Sequence, residues 1–269
     1  MITSTLKGVA GIPDYGTRTN EITVFAGPCA VESQKQFDTV AECIAQNGLH
    51  WIRGGAFKPR TNPHSFQGLG EAGLQIMQAG GKKYGLKTLT EVMDGTQCDM
   101  LATYVDGMQI GARNCQNFSL LKAVGQATAK TNQFILYKRG LANSISEWLS
   151  MVEYITMYGN DNVMMCERGL RTFETSTRFT LDISAVPVVH KQSLLPICVD
   201  VSHPAGVRDL VPPLARAAVA VGADAIMVEV HPDPAHARSD NAQQLTPAQF
   251  TDLIADLRKI AAVFGKTLV

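Results

Sequence analysis

The chain has 269 residues, of which 45% are hydrophobic, and its 24 basic and 24 acidic residues give a formal net charge of +0. Such a chain can bury a large core, and no flexible or charge-rich linker divides it, so residues 21–269 are expected to form a single domain. Zero net charge excludes a protein that binds nucleic acid through its overall field. Any basic binding site must therefore be local.

Cysteine spacing and the first residues of the chain indicate a cytoplasmic protein. The six cysteines are widely spaced and form no C-x-x-C pair, which fits neither a disulfide framework nor a zinc ribbon. Lys7, Asp14 and Arg18 stand where a signal peptide needs an apolar run. No apolar run reaches the roughly 18 residues of a membrane span, so no membrane partner is expected.

The first 20 residues differ in pattern from the rest of the chain. They carry glycine and proline too often for a helix, and an extended N-terminal arm or hairpin is expected at 1–20. From there, short apolar runs alternate with amphipathic segments. The apolar runs predict strands at 22–26, 49–52, 87–89, 108–110, 134–137, 163–166, 197–201 and 225–230. The amphipathic segments predict helices at 33–46, 69–84, 94–102, 119–129, 144–158, 180–190, 207–221 and 247–263.

This alternation predicts an α/β fold, a (β/α)8 TIM barrel. An open doubly wound sheet usually has fewer strands and a Gly-rich first turn, and the chain has neither a G-x-G-x-x-G nor a Walker A motif. Barrel enzymes place their chemistry at the carboxyl ends of the strands. Polar residues that follow the predicted strands are therefore candidate site residues.

The loop at 53–63 is the first candidate. Arg53, Lys58 and Arg60 fall within eight residues on a loop that glycine and proline shape. Other cations follow later strands: Arg113, Lys138 and Arg168. Like charges about 8 Å apart repel by roughly 2 kcal/mol at an effective dielectric of 20, so this set predicts one or more substrates with several negative charges. Pairing of single cations with local carboxylates is the alternative.

A second set combines Cys29, His203, Glu229 and Asp240, which the barrel would bring to one rim. A thiolate, an imidazole and two carboxylates suit a divalent transition ion. Each residue can also have an ordinary structural role. A lone cysteine, for example, is usually a small buried hydrophobic residue. Spacing alone leaves metal binding open.

Several motifs together resemble a known family, the 3-deoxy-7-phosphoheptulonate (DAHP) synthases of the short type-I branch, which is related to the octulosonate 8-phosphate synthases. The similarity runs from about residue 24 to 241. The motifs are Ala26-Gly27-Pro28-Cys29, the 53–70 stretch, Gly111-Ala112-Arg113-Asn114, Lys138-Arg139-Gly140, Glu167-Arg168-Gly169, Asp200-Val201-Ser202-His203 and Glu229-Val230-His231.

The resemblance implies a barrel enzyme that condenses phosphoenolpyruvate with erythrose 4-phosphate, the first step of the shikimate route. It assigns one divalent metal ion, among Mn, Co, Fe and Zn, to Cys29, His203, Glu229 and Asp240. Phosphoenolpyruvate would be bound by Arg53, Lys58, Arg113, Lys138 and Arg168, and the aldose phosphate by Arg60 and Thr61. Lys58 would also act as the catalytic acid. A homotetramer is expected. The activity is expected to be insensitive to aromatic amino acids, because the chain is too short for the family's regulatory domains, unless a separate partner protein supplies this control.

The nearest alternative is an octulosonate 8-phosphate synthase that uses arabinose 5-phosphate. The Lys58-Pro59-Arg60-Thr61 sequence resembles the form that goes with the shorter sugar, and Cys29 resembles the metal-dependent type. His64, Cys115, Val201 and Pro204 depart from the family pattern and leave the named ligands in place. Two other classes stay open: a Schiff-base aldolase with Lys138 as nucleophile, and a non-catalytic barrel.

Overall fold

The structure is a computed structural model that describes residues 20–60 and 62–269. The expected N-terminal arm therefore lies outside the described residues, apart from Asn20, and so does Thr61.

Eight parallel strands form a closed barrel, as predicted. The ring closes because β1 (Glu21–Gly27) pairs with both β2 (Trp51–Arg53) and β8 (Ala225–Glu229). The strands between them, each paired with its neighbours in chain order, are β3 (Lys87–Val92), β4 (Gly107–Ile110), β5 (Phe134–Lys138), β6 (Val163–Glu167) and β7 (Ile197–Asp200). A short ninth strand, β9 (Thr267–Leu268), pairs with the start of β1. Sequence analysis did not predict β9, because two residues show no periodicity.

Helices follow the strands around the barrel. They are α1 (Gln34–Gln46), α2 (Glu71–Tyr84), α3 (Cys98–Tyr104), α4 (Phe118–Thr128), α5 (Ile145–Met151), α6 (Glu153–Thr156), α7 (Ala185–Gln192), α8 (Ser202–Ala205), α9 (Val211–Ala220) and α10 (Pro247–Val263). In the described part of the chain, none of them combines the length and the apolar character that crossing a membrane requires.

Four predicted helices differ from the observed ones. The segment at 94–102 starts with a 3-10 turn, and its α-helix begins only at Cys98. The segment at 144–158 divides into α5 and α6, and the segment at 180–190 begins only at Ala185. At 207–221, α9 begins at Val211 after a 3-10 turn, because Pro212 and Pro213 are tolerated only in the first turn of a helix.

The inward face of the barrel is apolar toward the amino ends of the strands. Phe25, Trp51 and Phe134 form an aromatic cluster there, with ring centroids 5.2 to 5.5 Å apart. The remaining inward side chains of this half are Leu89, Leu136, Met164, Cys166, Cys198, Ala225 and Met227. These side chains fill the barrel, so its lower half is a packed core rather than a channel.

The same inward face becomes polar at the carboxyl ends. Side chains alternate across a strand, so residues two positions apart share a face. Two positions beyond the apolar residues stand Gly27, Arg53, Glu91, Lys138, Arg168, Asp200 and Glu229. A change from apolar to polar side chains in six of the eight strands therefore separates the core from the mouth of the barrel.

Gly27 allows β1 and β2 to approach each other closely at this mouth. Its φ is 147°, and a Cβ atom there would lie 2.0 Å from the carbonyl oxygen of Arg53. Only glycine fits this position. The close approach places the loop after β1, which carries Cys29, beside Arg53.

Candidate active site

A cavity of about 200 Å³ opens at the carboxyl ends of the strands. All of the cations singled out in the sequence and described by the structure line it: Arg53, Lys58, Arg60, Arg113, Lys138 and Arg168. His203 and Asp240 line the same cavity. The predicted anion-binding residues and part of the predicted metal-binding set therefore face one space.

The four proposed metal ligands lie close together. Ligand atoms of Cys29, Glu229 and Asp240 all fall within 4.8 Å of one another. His203 Nε2 lies 3.5 Å from Glu229 Oε1 and 3.8 Å from Asp240 Oδ2. Ligands bound tetrahedrally at about 2.1 Å are about 3.4 Å apart. Cys29, Glu229 and Asp240 therefore lie close enough to share one ion, and His203 faces two of these three residues. The donor set of one sulfur, one nitrogen and two oxygens suits a divalent transition metal.

The backbone of Asp240, one of the proposed metal ligands, has a conformation that is uncommon for residues other than glycine. Its φ is 49°, in the left-handed region, which aspartate tolerates better than most residues. The backbone N–H of Gln243 donates to the Asp240 carbonyl oxygen at 3.4 Å and closes this turn. The turn directs the Asp240 carboxylate back toward Cys29, where Oδ2 lies 3.2 Å from the thiol sulfur.

His203 is oriented by Asp200. His203 Nδ1 lies 2.7 Å from Asp200 Oδ2, and the backbone N–H groups of Ser202 and His203 donate to Asp200 Oδ1. This contact orients the ring so that Nε2 faces the carboxylates of Glu229 and Asp240. Burial raises the pKa of Asp200, but His203 and Lys138 outweigh it and hold the pKa well below its usual range. Asp200 is therefore a buried anion.

Cys29 is protonated in the absence of a metal. Its sulfur is buried, and it lies 3.1 Å from Ser239 Oγ. Burial, helped by the charges of Glu229 and Asp240, raises the pKa of the thiol to about 12, against the opposing effect of Lys58. A metal ion would have to displace this proton, so metal affinity should increase with pH.

Lys58 lies beside Cys29, one of the candidate metal ligands, and lines the cavity. Its Nζ donates to the Cys29 carbonyl oxygen at 3.0 Å and lies 3.1 Å from the Cys29 sulfur. Gly55 makes room for it, because a Cβ there would be 2.6 Å from Lys58 Cδ. Burial lowers the pKa of Lys58, but Cys29, Glu91 and Glu229 raise it by more. Lys58 is therefore an ammonium group that can donate a proton.

Two of the cavity cations are neutralised by the protein itself. Arg53 Nη1 lies 3.2 Å from Glu229 Oε1, and Lys138 Nζ lies 2.6 Å from Asp200 Oδ2. Arg53 and Lys138 are thus paired with carboxylates, as the alternative interpretation of the sequence expected for single cations. Among the described residues, no carboxylate forms an ion pair with Arg113 or Arg168. These two arginines carry positive charge that an anionic ligand can neutralise.

Arg168 and Arg60 are held by contacts that leave their charge unpaired. The Arg168 guanidinium stacks on Phe179 at 4.0 Å, and burial lowers its pKa. Arg60 donates to the carbonyl oxygens of Phe66 and Arg238 at 2.9 and 3.1 Å at the edge of the cavity. Arg53 has one buried guanidinium nitrogen, Nε, with no hydrogen-bond partner.

Several residues of this site were not predicted from the sequence. Arg171 and Arg178 line the cavity from the irregular segment between β6 and α7. Gln243 and Gln244 contact two of the candidate metal ligands: Gln243 Nε2 donates to Glu229 Oε2 at 2.6 Å, and Gln244 Oε1 accepts from the Cys29 backbone N–H at 3.1 Å. The available signal was two adjacent polar residues between Asp240 and the first turn of α10.

Comparisons with known proteins agree with this geometry. A model of the DAHP synthetase I family matches residues 16–262. The chain is 49% identical over 257 residues to a phospho-2-dehydro-3-deoxyheptonate aldolase of Thermotoga maritima, a match that covers 96% of this chain and 75% of the relative. A 2-dehydro-3-deoxyphosphooctonate aldolase of Rhodopseudomonas palustris is 33% identical over 276 residues, covering 96% of this chain and 94% of the relative.

Solved structures give the same result. The crystal structure of the Thermotoga maritima DAHP synthase superposes with a TM-score of 0.89 and 47% identity, covering 93% of this chain and 72% of that one. A truncated form of a synthase from the same organism gives a TM-score of 0.86 and 44% identity, covering 93% of this chain and 90% of that one.

Proposed function

Because the chain belongs to the DAHP synthetase I family, it is a 3-deoxy-7-phosphoheptulonate synthase, and we propose that the cavity at the carboxyl ends of the strands is its active site. The enzyme joins phosphoenolpyruvate to erythrose 4-phosphate and releases inorganic phosphate, at the start of the pathway to aromatic amino acids. The observation that supports the proposed site is the meeting of a four-ligand cluster and a cationic cavity at Lys58.

Phosphoenolpyruvate binds in the inner part of the cavity. It carries a carboxylate and a phosphate, and Arg113 and Arg168 offer planar donors that bind such groups in bidentate fashion. Arg53 and Lys138 contribute less net charge, because Glu229 and Asp200 pair with them. Their role is to place donors at fixed positions on the phosphate and carboxylate.

Erythrose 4-phosphate binds toward the outer edge, with its phosphate at Arg60 and Thr61. Arg60 is anchored through the carbonyl oxygens of Phe66 and Arg238, which fixes its guanidinium at the entrance. The aldehyde of the sugar then points inward, toward Lys58 and the metal cluster. Thr61 is assigned by the family motif alone.

The enzyme needs one divalent metal ion, bound by Cys29, His203, Glu229 and Asp240. When bound, the ion supplies Lewis acidity to the sugar aldehyde. The mixed donor set and the orientation of His203 by Asp200 support this assignment.

Lys58 acts as the catalytic acid. A new bond joins C3 of phosphoenolpyruvate to the aldehyde carbon, and the oxygen of that aldehyde takes a proton from the Lys58 ammonium group. Water adds at C2 and gives up a proton, which replaces the proton that Lys58 donated and returns Lys58 to its ammonium form. The C2–O bond then breaks, and the arginines stabilise the negative charge of the departing phosphate.

The test is an assay of phosphate release with both sugars. The purified protein should release phosphate from phosphoenolpyruvate with erythrose 4-phosphate, and much more slowly with arabinose 5-phosphate. Chelation should abolish release, and one added divalent ion should restore it. Equal rates with the two sugars would reject the proposed substrate, and a fully active chelated protein would reject the proposed metal.

The protein also assembles as a homo-oligomer in this proposal, with a tetramer expected from the family resemblance. Two aromatic side chains support an interface, because Phe118 and Tyr154 lie 41% and 37% exposed with ring centroids 4.7 Å apart. Light scattering coupled to size exclusion tests this, and a monomer at micromolar concentration would reject it.

A further inference from the structure

In each of the proposed metal ligands Glu229 and Asp240, the two carboxylate oxygens make different contacts. Glu229 Oε1 lies 3.5 Å from His203 Nε2, and Asp240 Oδ2 lies 3.8 Å from the same nitrogen. The second oxygen of each points away from the cluster. Glu229 Oε2 accepts from Gln243 Nε2 at 2.6 Å, and Asp240 Oδ1 accepts from Arg178 Nη1 at 3.1 Å.

Arg178 and Gln243 are joined to each other. Arg178 Nη1 donates to Gln243 Oε1 at 2.9 Å as well as to Asp240. This contact fixes the orientation of the Gln243 amide, because its oxygen must face the guanidinium and its NH2 group must then face Glu229. Gln243 is only 1% exposed, so water cannot replace either hydrogen bond without rearrangement of the loop.

Arg178 and Gln243 therefore form one hydrogen-bonded unit with the second carboxylate oxygens of Asp240 and Glu229. A carboxylate with both oxygens free can rotate or bind a metal through two oxygens, whereas here the second oxygen of each, Glu229 Oε2 and Asp240 Oδ1, is already occupied. Glu229 Oε1 also lies 3.2 Å from Arg53 Nη1, which further restricts rotation of this carboxylate. We infer that Arg178 and Gln243 are positioning residues that hold Glu229 and Asp240 as single-oxygen ligands and so determine the affinity and geometry of the metal site. This inference rests on the metal site proposed above.

The unit also connects two separate parts of the chain. Arg178 belongs to the segment between β6 and α7, whereas Gln243 and Asp240 belong to the segment between β8 and α10. No single segment can therefore complete the site. A change at Arg178 should act on the metal, although Arg178 itself offers no atom that could bind one.

The test measures Co²⁺ binding, which reports ligand geometry without any assay of activity. A Cys29 thiolate bound to Co²⁺ gives a near-ultraviolet charge-transfer band, and the visible bands report the coordination geometry. Affinity is measured by competition with a chelator for the wild type, Gln243→Leu, Arg178→Met and the double variant. Arg178→Met changes a side chain that is 37% exposed, so it should fold even where Gln243→Leu does not.

Arg208→Met is the matched control. Arg208 donates to the carbonyl oxygens of Gln244 and Asn241 at 2.6 and 3.4 Å, so it anchors the same loop without touching a ligand side chain. Thermal unfolding of each metal-free variant separates a loss of fold from a loss of binding.

Each single variant should weaken Co²⁺ binding about 10- to 100-fold and change the visible bands. The double variant should lose little more than the weaker binder of the two, because the residues act as one unit. Arg178→Lys should recover part of the affinity through its contact with Asp240, and Arg208→Met should bind as the wild type does.

Wild-type affinity in Arg178→Met, or an equal loss in Arg208→Met, would overturn the inference while leaving the metal site intact. If wild-type protein shows no charge-transfer band, or if Cys29→Ala still shows it, the metal site itself is wrong and the inference fails with it.

Discussion

His203 and Lys138 converge on one buried oxygen atom of Asp200, with His203 Nδ1 at 2.7 Å and Lys138 Nζ at 2.6 Å. His203 belongs to the proposed metal site and Lys138 to the proposed phosphoenolpyruvate site. A single carboxylate at the end of β7 therefore orients both halves of the active site. Because Asp200 is fully buried and paired, removal of its charge would leave a buried cation without a partner.

Asp200→Asn should weaken metal binding and raise the KM for phosphoenolpyruvate together. The amide keeps the shape of the side chain but has no negative charge and only one acceptor oxygen, whereas Asp200 uses one oxygen for Lys138 and the His203 ring and the other for two backbone N–H groups. An effect of about 10- to 100-fold on metal affinity is therefore expected. Competition with a chelator and steady-state kinetics at saturating metal measure the two effects.

Asp224→Asn provides the matched control for this change. Asp224 Oδ2 lies 2.7 Å from His190 Nε2, a similar pair at the amino end of the barrel. That variant should bind metal and phosphoenolpyruvate normally. If Asp200→Asn changes only one of the two affinities, the carboxylate does not link the two halves.

Lys58→Met should lower kcat about 10²- to 10⁴-fold while the protein remains folded, because it removes the proton donor next to the cluster. Lys58→Arg keeps the positive charge but holds its proton too tightly to donate it. It should therefore recover phosphoenolpyruvate binding but not turnover. The split between KM and kcat in the two variants checks the assignment, with Lys83→Met at the surface as control. Substantial turnover in Lys58→Met would show that Lys58 is not the catalytic acid.

Sequence patterns predicted the parts of this protein that repeat regularly. Arg53, Lys138 and Glu229 could be placed at one mouth because each ends an apolar strand, and the ends of parallel strands meet at one rim of a barrel. Arg178 and Gln243 could not be placed, since they lie in irregular segments without periodicity and act through contacts between distant parts of the chain. The sequence left pairing of the cations with carboxylates open, but it could not show that Asp200 is the partner of Lys138, because this depends on the distance between β5 and β7.

Acidic pH should weaken the ion pair between Arg139 and Asp182, which attaches the segment between β6 and α7 to the barrel. Arg139 Nη1 contacts Asp182 Oδ2 at 2.7 Å and Glu167 Oε2 at 2.8 Å. Burial raises the pKa of Asp182, but hydrogen bonds from Ser184 and Arg139 outweigh it, so the pKa is lowered. Asp182 therefore stabilises the fold above the usual aspartate pKa of about 4, and this contribution is lost as the pH falls through the lowered value.

Urea unfolding of the wild type and Asp182→Asn at several pH values checks this. The difference in free energy of unfolding should be largest near neutrality and should shrink in acid. For Glu167→Gln, the pH dependence of the difference in free energy of unfolding should have the opposite sign, because burial raises the pKa of Glu167. Its ionised form is disfavoured in the fold, so the wild type should gain stability relative to Glu167→Gln as the pH falls. Parallel curves for the two variants would contradict the assignment.

Gly27→Ala should destabilise the barrel through a steric clash between β1 and β2. A Cβ at Gly27 would lie 2.0 Å from the Arg53 carbonyl oxygen, and only backbone displacement relieves such a contact. A loss of about 3 kcal/mol in free energy of unfolding is expected. Gly222→Ala separates the clash from the cost of positive φ, since Gly222 has φ 96° and a Cβ added there would meet no heavy atom within 4 Å. That control should lose only about 1 to 2 kcal/mol. Equal losses would mean that backbone conformation, and not the approach of the strands, makes glycine necessary at position 27.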